Sequence, residues 1–310
     1  MKNPYKFLLI ISLSLVYLVI AAGSIVRMTG SGMGCPDWPK CFGRWIPPTS
    51  LSQIPDYIDP AKFNIVLAWI EYLNRLFGVL VGFSILITLI LGFKYHSNTP
   101  RIKWPLLSAF LLTLFQGWLG SVLVNTVLNP ITITLHLLVA LVILVLLIYV
   151  SQQAYYLKNQ LAESKSIYPK KMKIVFTLIA VTLFVEIILG TEIRGGLEIM
   201  RKENPMIQSD FLLKMLGPFK YAHTILGIFI TVLTTYMLYL VTKKSINPSP
   251  LMVQTGIGTV VLIFSQIVLG EMLVFLEFSP LIQLFHLWIA SWILGLLSVQ
   301  YVAWQKSNNL

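Results

Sequence analysis

Eight long apolar segments constrain the fold of this chain more than any other feature of its sequence. They cover residues 6–26, 65–92, 105–127, 132–150, 173–193, 218–241, 251–275 and 282–304. An α-helix needs about 20 apolar residues to cross the hydrocarbon core of a bilayer. Only 11% of the residues are charged and the mean hydropathy is +0.79, whereas soluble domains carry about 25% charged residues. The sequence therefore predicts an all-α integral membrane protein with eight transmembrane helices, and it excludes an ordinary soluble enzyme.

The first segment has an alternative interpretation as a signal peptide, because Lys2 and Lys6 precede its apolar run. The apolar core of a signal peptide spans about 7–15 residues, and this run continues to Val26. We therefore interpret it as a membrane span.

The net charge of +11 is explained by membrane topology. An even number of spans puts both termini on the same side of the membrane. The loops and termini on that side contain one acidic residue, Glu163, and many basic ones. The basic residues on that side are Lys2, Lys6, Lys94, Arg101, Lys103, Lys158, Lys165, Lys170, Lys171, Lys173, Lys243, Lys244 and Lys306. Loops rich in Lys and Arg face the cytoplasm. We therefore expect a multi-pass protein of the cell membrane with cytoplasmic termini, in contact with the lipid bilayer and not with nucleic acid.

Both cysteines, Cys35 and Cys41, lie in the first external loop, in GCPDWPKCFG. Two cysteines on the oxidising face of a membrane favour a disulfide. A metal site is the weaker alternative because the loop contains no His. A redox-active role for the pair stays open beside a structural one.

The two halves of the chain repeat one pattern of polar and small residues. Four identities occur at an offset of 150: Gln116 and Gln266, Gly120 and Gly270, Pro130 and Pro280, His136 and His286. At an offset of 149, Tyr72, Asn74 and Gly78 correspond to Tyr221, His223 and Gly227. At 167, Gly23 and Arg27 correspond to Gly190 and Arg194. These matches predict two pseudo-symmetric four-helix bundles of the same orientation, 1–150 and 173–310, joined by a cytoplasmic linker at 151–172.

Three of the four histidines are candidates for function. His96 is predicted to lie solvated in a cytoplasmic loop, whereas His136, His223 and His286 lie near the external ends of spans, where ionisable groups are costly. His223 and His286 occupy the second and fourth helices of one bundle and suit the two axial positions of a haem iron. A hydrogen bond between helices is the structural alternative. Zinc would need further ligands, of which this half offers few.

The first half carries Asn74 and His136 at the equivalent positions, which suggests one ligating His and a more open opposite face. Glu71 precedes Asn74 by three residues and shares its helix face. Its carboxylate is a candidate for stabilising positive charge or handling protons, and an ion pair with Arg75 is the structural alternative.

Arg27 and Arg194 are candidates for binding haem propionates, or they are arginines that snorkel to the membrane interface. Glu186 and Glu271 receive no role beyond a candidate part in proton handling.

These residues resemble the haem A synthase family over nearly the whole chain. The motifs are RMTGSGMGCPDWPKCFGRWIPP at 27–48, EYLNRLFG at 71–78, QGWLG at 116–120, and the surroundings of His136, His223 and His286. The resemblance implies eight spans in two halves and an oxidoreductase of haem biosynthesis. Its members oxidise the C8 methyl of haem O to the formyl group of haem A by successive hydroxylations. They hold a haem b in the C-terminal half and process the substrate haem in the N-terminal half.

Carried over by position, the resemblance makes His223 and His286 the axial ligands of haem b, His136 a ligand of the substrate haem and Glu71 the catalytic carboxylate. Cys35 and Cys41 match the family's cysteine pair. The departure is Asn74, because the usual pattern is Glu-x-x-His-Arg. This departure puts bis-His ligation of the substrate haem in question.

The partners expected on this basis are haem O synthase and an electron donor or acceptor of unknown identity, with a homo-oligomer as one alternative for the assembly. A non-catalytic di-haem electron carrier or haem-handling protein is the second hypothesis. A transporter is the third, and the clustering of the histidines near one face counts against it.

Overall fold

The computed structural model describes residues 4–56, 58–158, 166–203, 206–207 and 209–308. Within these ranges the regular secondary structure is helical, apart from two isolated β-bridges. The helices are α1 (Pro4–Met28), α2 (Ile65–Tyr95), α3 (Pro100–Asn125), α4 (Pro130–Lys158), α5 (Met172–Glu203), α6 (Ser209–Met215), α7 (Pro218–Lys243), α8 (Pro250–Phe275) and α9 (Pro280–Asn308). All but α6 are long and apolar enough to cross a membrane. The prediction of an all-α, eight-span membrane protein is confirmed.

Local sequence signals set where the helices start. Proline stands at the first position of α3, α4, α7, α8 and α9, where its missing N–H removes no hydrogen bond. Asn64 caps α2 by accepting hydrogen bonds from the main-chain N–H groups of Val66 and Leu67. Ser249 caps α8 through the N–H of Met252. The prolines and caps therefore mark the residues at which these helices begin.

The largest difference from the sequence prediction is the length of α5, which runs ten residues past 193 to Glu203. Hydropathy marks the part of a helix that suits the hydrocarbon core, and the helix itself continues through a polar stretch that contains Glu198 and Arg201. The short α6 was not predicted, because seven residues carry too little periodicity to be recognised.

Two compact units divide the chain, Met1–Ala154 and Tyr155–Leu310. In the first, α1 packs on α2 and α2 packs on α3. The Ser12 hydroxyl joins α1 to α2 through Ser84 (2.8 Å) and Thr88 (2.9 Å). The predicted linker 151–172 stays a prediction, although α4 continues to Lys158. Lys2, Glu163 and Lys165 lie outside the described residues.

In the second unit, α5, α7, α8 and α9 surround one apolar core. Its most buried members include Met172, Ile179, Met237, Leu240 and Met252. A hydrogen bond of 2.7 Å from Gln300 Nε2 to Thr259 Oγ1 joins α9 to α8.

The turn between α3 and α4 has the same backbone geometry as the turn between α8 and α9. Val127 and Leu128 have φ angles of 51° and 60°, and Glu277 and Phe278 have φ angles of 47° and 60°. The N–H of Leu128 donates to the Leu123 carbonyl at 2.9 Å, and that of Phe278 to the Leu273 carbonyl at 2.8 Å. Two consecutive left-handed residues are rare outside glycine. Their occurrence at the same repeat positions extends the sequence repeat to the backbone.

Candidate functional site

The loop after α1 folds against α2 through a small buried cluster. Cys35, Cys41 and Phe42 are almost fully buried there beside Ala68 of α2. The sulfur atoms of Cys35 and Cys41 lie within bonding distance and their Cα atoms are 4.7 Å apart. A bridge between Cys41 and Arg44 turns the chain back on itself. The loop is therefore a compact element attached to the N-terminal part of α2.

Close backbone approach fixes this loop. A Cβ atom on Gly34 would overlap the main-chain carbonyl of Leu67, so only glycine allows the loop to lie this close to α2. The Asp37 carboxylate accepts hydrogen bonds from the N–H groups of Phe42 (2.6 Å) and Gly43 (2.8 Å). The same carboxylate therefore closes the turn after the second cysteine.

Glu71 and Arg75 hold the loop from one face of α2. The Cys35 N–H donates to Glu71 Oε2 at 2.8 Å, and Arg75 pairs with Glu71 Oε1 through Nη2 and through Nε at 3.1 Å. Arg75 also donates from Nη1 to the carbonyls of Asp37 (2.8 Å) and Lys40 (2.9 Å). Glu71 is only 4% exposed. Both oxygens of this carboxylate therefore have partners, and the ion pair considered from the sequence forms together with the loop contacts.

Asn74 and His136 are the first-unit counterparts of His223 and His286 in the sequence repeat. Asn74 lies one turn after Glu71 on α2, and His136 lies in the second turn of α4. The Asn74 Oδ1 and His136 Nδ1 atoms are buried and have no hydrogen-bond partner among the residues that the structure describes. Buried polar atoms normally have a partner, and an exception points to a missing ion, water or ligand.

Each half contains the same contact between a glutamine and a candidate ligand. Gln116 of α3 donates from Nε2 to the main-chain carbonyl of His136 at 2.8 Å. Gln266 of α8 does the same to the carbonyl of His286 at 2.7 Å. In both halves, a glutamine of one helix therefore holds the main chain of the next helix at the candidate histidine.

His223 of α7 and His286 of α9 face each other. Their ring centroids are 6.5 Å apart, with the ring planes inclined at 60°. Each ring lies beside a glycine: a Cβ on Gly190 would lie 3.3 Å from His223 Cε1, and one on Gly270 would lie 3.7 Å from His286 Cε1. The pair can hold a metal whose other ligands come from a macrocycle.

A carboxylate stands behind one of these rings. Glu186 Oε1 of α5 lies 3.1 Å from His223 Nδ1. The distance is that of a hydrogen bond, although the two groups are not aligned for one. The structure thus gives Glu186, which received only a general role from the sequence, a specific neighbour.

The two halves differ around one pair of corresponding glycines: Gly120, near the end of α3, and Gly270, near the end of α8. In the second unit Gly270 faces His286, as described above, whereas in the first unit the Trp38 indole nitrogen lies 4.0 Å from the position of a Cβ on Gly120. Trp38 belongs to the cysteine loop. The loop therefore extends over α3 in the half that carries Asn74.

Arg27 and Arg194 occupy corresponding positions. Arg27 lies in the last turn of α1, four residues after Gly23. Arg194 lies in α5, four residues after Gly190 and eight after Glu186, so it continues the face of α5 that contacts His223. Both side chains are partly buried. The role of Arg27 and Arg194 toward haem propionates stays a prediction.

His96 differs from its prediction as a solvated loop residue. It follows the last residue of α2, and its ring packs on Tyr5 of α1 with centroids 4.7 Å apart. Burial lowers the pKa of His96 from its ordinary value, and the charge of Lys6 adds to this effect. Sequence reasoning missed the contact because Tyr5 lies 91 positions away.

Comparison with known proteins decides the family. Residues 6–298 match the profile of COX15-CtaA, described as cytochrome oxidase assembly protein. The chain belongs to the COX15-CtaA family. The resemblance found from the motifs is therefore confirmed, and the family agrees with a multi-pass membrane protein.

Several relatives of this COX15-CtaA chain carry the name heme A synthase. The protein of Shewanella oneidensis is 38% identical over 153 residues, which cover 46% of this chain and 44% of the relative. That of Pelagibacter ubique is 26% identical over 213 residues, 61% of this chain and 60% of the relative. That of Geobacillus kaustophilus is 30% identical over 125 residues, 40% and 35%. The chain thus spans between about a third and three fifths of the relatives that it matches.

The COX15-CtaA site has members that the sequence did not single out for their contacts. The sequence indicates Arg75 only as a partner of Glu71, and the structure shows that it also binds carbonyls of the cysteine loop. The sequence gives Glu186 only a candidate part in proton handling, and the structure places it against His223. For Arg75, the available signal in the sequence is its i,i+4 spacing from Glu71. For Glu186, it is the presence of an acid within an apolar span.

Proposed function

We propose that this protein is a membrane oxidoreductase that converts haem O to haem A. The C8 methyl of haem O is oxidised to a formyl group by successive hydroxylations, and water is lost from the geminal diol. The observation that carries this proposal is the membership of the COX15-CtaA family together with the facing imidazoles of His223 and His286.

The second unit suits a haem b with two histidine ligands. Two imidazoles on opposite sides of one metal, with metal–nitrogen bonds of about 2 Å, have ring centres roughly 6 Å apart. The His223–His286 separation of 6.5 Å fits this requirement. Gly190 and Gly270 add no side chain of their own beside the two rings. A haem with both axial positions filled transfers single electrons.

We propose the first unit as the substrate half, with His136 as one ligand of the substrate haem. The unpartnered Nδ1 of His136 and Oδ1 of Asn74 support a polar ligand at this position. Asn is a poor ligand for iron, so the substrate would be held mainly from the His136 side. Reaction at the edge of the macrocycle, where the methyl group lies, does not require a second strong ligand on the iron.

Glu71 is the proposed catalytic carboxylate. Arg75 and the Cys35 N–H hold it in one orientation, so it does not have to reorganise as positive charge develops near the methyl carbon. Trp38 and the cysteine loop lie over α3, where they would limit the access of water to this half. Arg27 and Arg194 are proposed to bind haem propionates.

The topology proposed for this enzyme places both termini in the cytoplasm and the Cys35–Cys41 disulfide outside. Each hydroxylation is a two-electron oxidation of the methyl carbon. With water as the oxygen source, two electrons and two protons leave the substrate and the electrons pass to an acceptor; with dioxygen, a donor must supply two electrons and the second oxygen atom leaves as water. An electron partner is therefore required in either case, and haem O synthase is the proposed source of substrate.

The departure at Asn74 favours one alternative, a di-haem carrier without catalytic activity. Pigment extraction and mass spectrometry of cells that co-express this protein with a haem O synthase distinguish the two. Haem A or its alcohol intermediate, found beside haem b, supports the synthase. Unconverted haem O in a protein loaded with haem b supports the carrier and contradicts the proposal.

A further inference from the structure

We propose that Glu186 is a positioning residue for His223. Its carboxylate accepts the Nδ1–H of the imidazole, which leaves Nε2 for iron and makes the ring a stronger electron donor. This inference rests on the proposed haem b site of the second unit and adds to it a residue that sets the reduction potential of that haem.

The geometry of α5 and α7 brings the two groups together. Glu186 and Gly190 are one turn apart on α5, and His223 and Gly227 are one turn apart on α7. A Cβ on Gly190 would lie 3.3 Å from the His223 ring, and a Cβ on Gly227 would lie 3.2 Å from Glu186 Oε1. Each glycine thus gives room to the polar residue of the opposite helix. This reciprocal arrangement leaves Glu186 Oε1 3.1 Å from His223 Nδ1.

The carboxylate has a chemical reason to face the imidazole. A carboxylate within a membrane helix is costly unless it is paired. In the described part of the chain, Glu186 has His223 as its neighbour, and its Oε2 atom is buried without a hydrogen bond. Histidines that bind metals commonly donate their other ring N–H to a carboxylate, which fixes the tautomer and raises the basicity of the ligand. A small rotation of either side chain would align the bond.

The internal repeat supplies a comparison within the same chain. At the offset of 149, the residue that corresponds to His223 is Asn74. At the offset of 167, the residue that corresponds to Glu186 is Val19. The half that lacks the imidazole therefore also lacks the carboxylate. This pattern is expected if the acid serves the imidazole and has no independent structural role.

The electronic consequence has a definite sign. Partial transfer of the Nδ1 proton toward Glu186 increases electron donation to the metal and favours its oxidised form. Glu186 should therefore lower the reduction potential of the haem, and its neutralisation should raise it. Gln at this position keeps the shape but is a weaker acceptor.

The test uses the purified full-length protein with its haem, and three variants. Glu186→Gln is compared with Glu277→Gln, which neutralises an exposed acid in the turn between α8 and α9. Gly227→Ala displaces the Glu186 carboxylate without removing it, and its control is Gly78→Ala, the corresponding position, where an added Cβ meets nothing within 4 Å. The measurements are haem content, the midpoint potential at one pH, and the low-spin electron paramagnetic resonance spectrum.

We expect Glu186→Gln to retain haem, to raise the midpoint potential and to change the resonance spectrum, whereas Glu277→Gln should match the unmodified protein. Gly227→Ala should shift the potential in the same direction and Gly78→Ala should not. If Glu186→Gln loses its haem, the Gly227→Ala and Gly78→Ala pair decides. A haem-loaded Glu186→Gln protein with unchanged potential and spectrum overturns this inference alone. A low-spin spectrum that persists in His223→Ala overturns the proposed haem site and this inference with it.

Discussion

The main-chain N–H of Cys35 donates a hydrogen bond of 2.8 Å to Glu71 Oε2 across 36 positions of the sequence. This contact ties the cysteine loop to the carboxylate that the motif singles out, and Arg75 holds both. The conformation of the cysteine loop and the orientation of the Glu71 carboxylate therefore depend on each other. A change at Glu71 should alter both.

Glu71→Ala should release the loop and stop aldehyde formation, while the second unit keeps its haem b. A hydrogen bond to a charged group contributes about 1.5–3 kcal/mol, so proteolysis of the loop should become at least about tenfold faster. Glu71→Gln keeps an acceptor for the Cys35 N–H and should protect the loop better than Ala. Protease kinetics and haem extraction measure the two effects. Glu277→Gln, at an exposed turn, is the control. A fully active Glu71→Ala protein contradicts the catalytic role.

His223→Ala and His286→Ala should each remove the low-spin haem b spectrum, because a metal with one imidazole missing has an open axial position. His96→Ala lies outside the pair and should leave the spectrum as it is. The measurement is the optical and low-temperature resonance spectrum of the purified protein. An unchanged spectrum in either ligand variant means that the haem is bound elsewhere.

Gln266→Leu should weaken haem retention in the second unit, since Gln266 supports the carbonyl of His286 at 2.7 Å. Hydrogen bonds between membrane helices contribute about 0.6–1.7 kcal/mol, so haem b should dissociate roughly 3- to 20-fold faster. Gln116→Leu is the matched control, because it makes the same contact with His136 at 2.8 Å in the other unit. Transfer of haem to apomyoglobin follows the rate. Equal acceleration in both variants would contradict a local effect.

Replacement of Cys35 and Cys41 by Ser should loosen the cysteine loop and lower the thermal unfolding midpoint. Disulfides contribute typically about 2–4 kcal/mol, and short loops lie at the lower end. Both cysteines are almost fully buried, so the labelling test uses the Glu71→Ala protein, in which the loop is expected to be released. A membrane-impermeant thiol reagent applied to intact cells should label the pair in that protein only after reduction. Labelling without reductant argues against the disulfide, and no labelling from outside after reduction argues against the proposed topology.

His96 should make the protein less stable in acid. Its folded pKa lies below the ordinary value of 6.5, so the unfolded chain binds a proton more readily. The stability associated with neutral His96 is present above pH 6.5 and is lost as the pH falls through the lowered folded pKa. In detergent, His96→Gln should show a smaller fall in unfolding temperature between pH 7.5 and pH 5. Lys6→Gln should reduce the fall by less, and an unchanged fall in His96→Gln would contradict the assignment.

The eight spans and the family were predictable from the sequence because their signals are local or repeated. A run of apolar residues must be helical in a bilayer, where each main-chain polar group needs a partner inside its own segment. The matches of Gln116, Pro130 and His136 with their counterparts at an offset of 150 disclosed the repeat, and the contacts of Gln116 and Gln266 extend it to side chains. The end of α5 was not predictable, because hydropathy marks only the part of a helix that suits the hydrocarbon core, and α5 continues beyond that part.

The sequence by itself therefore determined which segments are helices, how they repeat, and which residues are chemically suited to bind haem. Only the tertiary structure decided which of these residues meet. Cys35 lies on Glu71, Glu186 lies on His223 and Tyr5 lies on His96, and each contact joins different elements of the chain. The physical reason is that such contacts depend on how helices and loops pack. Packing depends in turn on close approach at glycines such as Gly34, Gly190 and Gly227, and no local sequence pattern specifies which residues will lie beside these glycines.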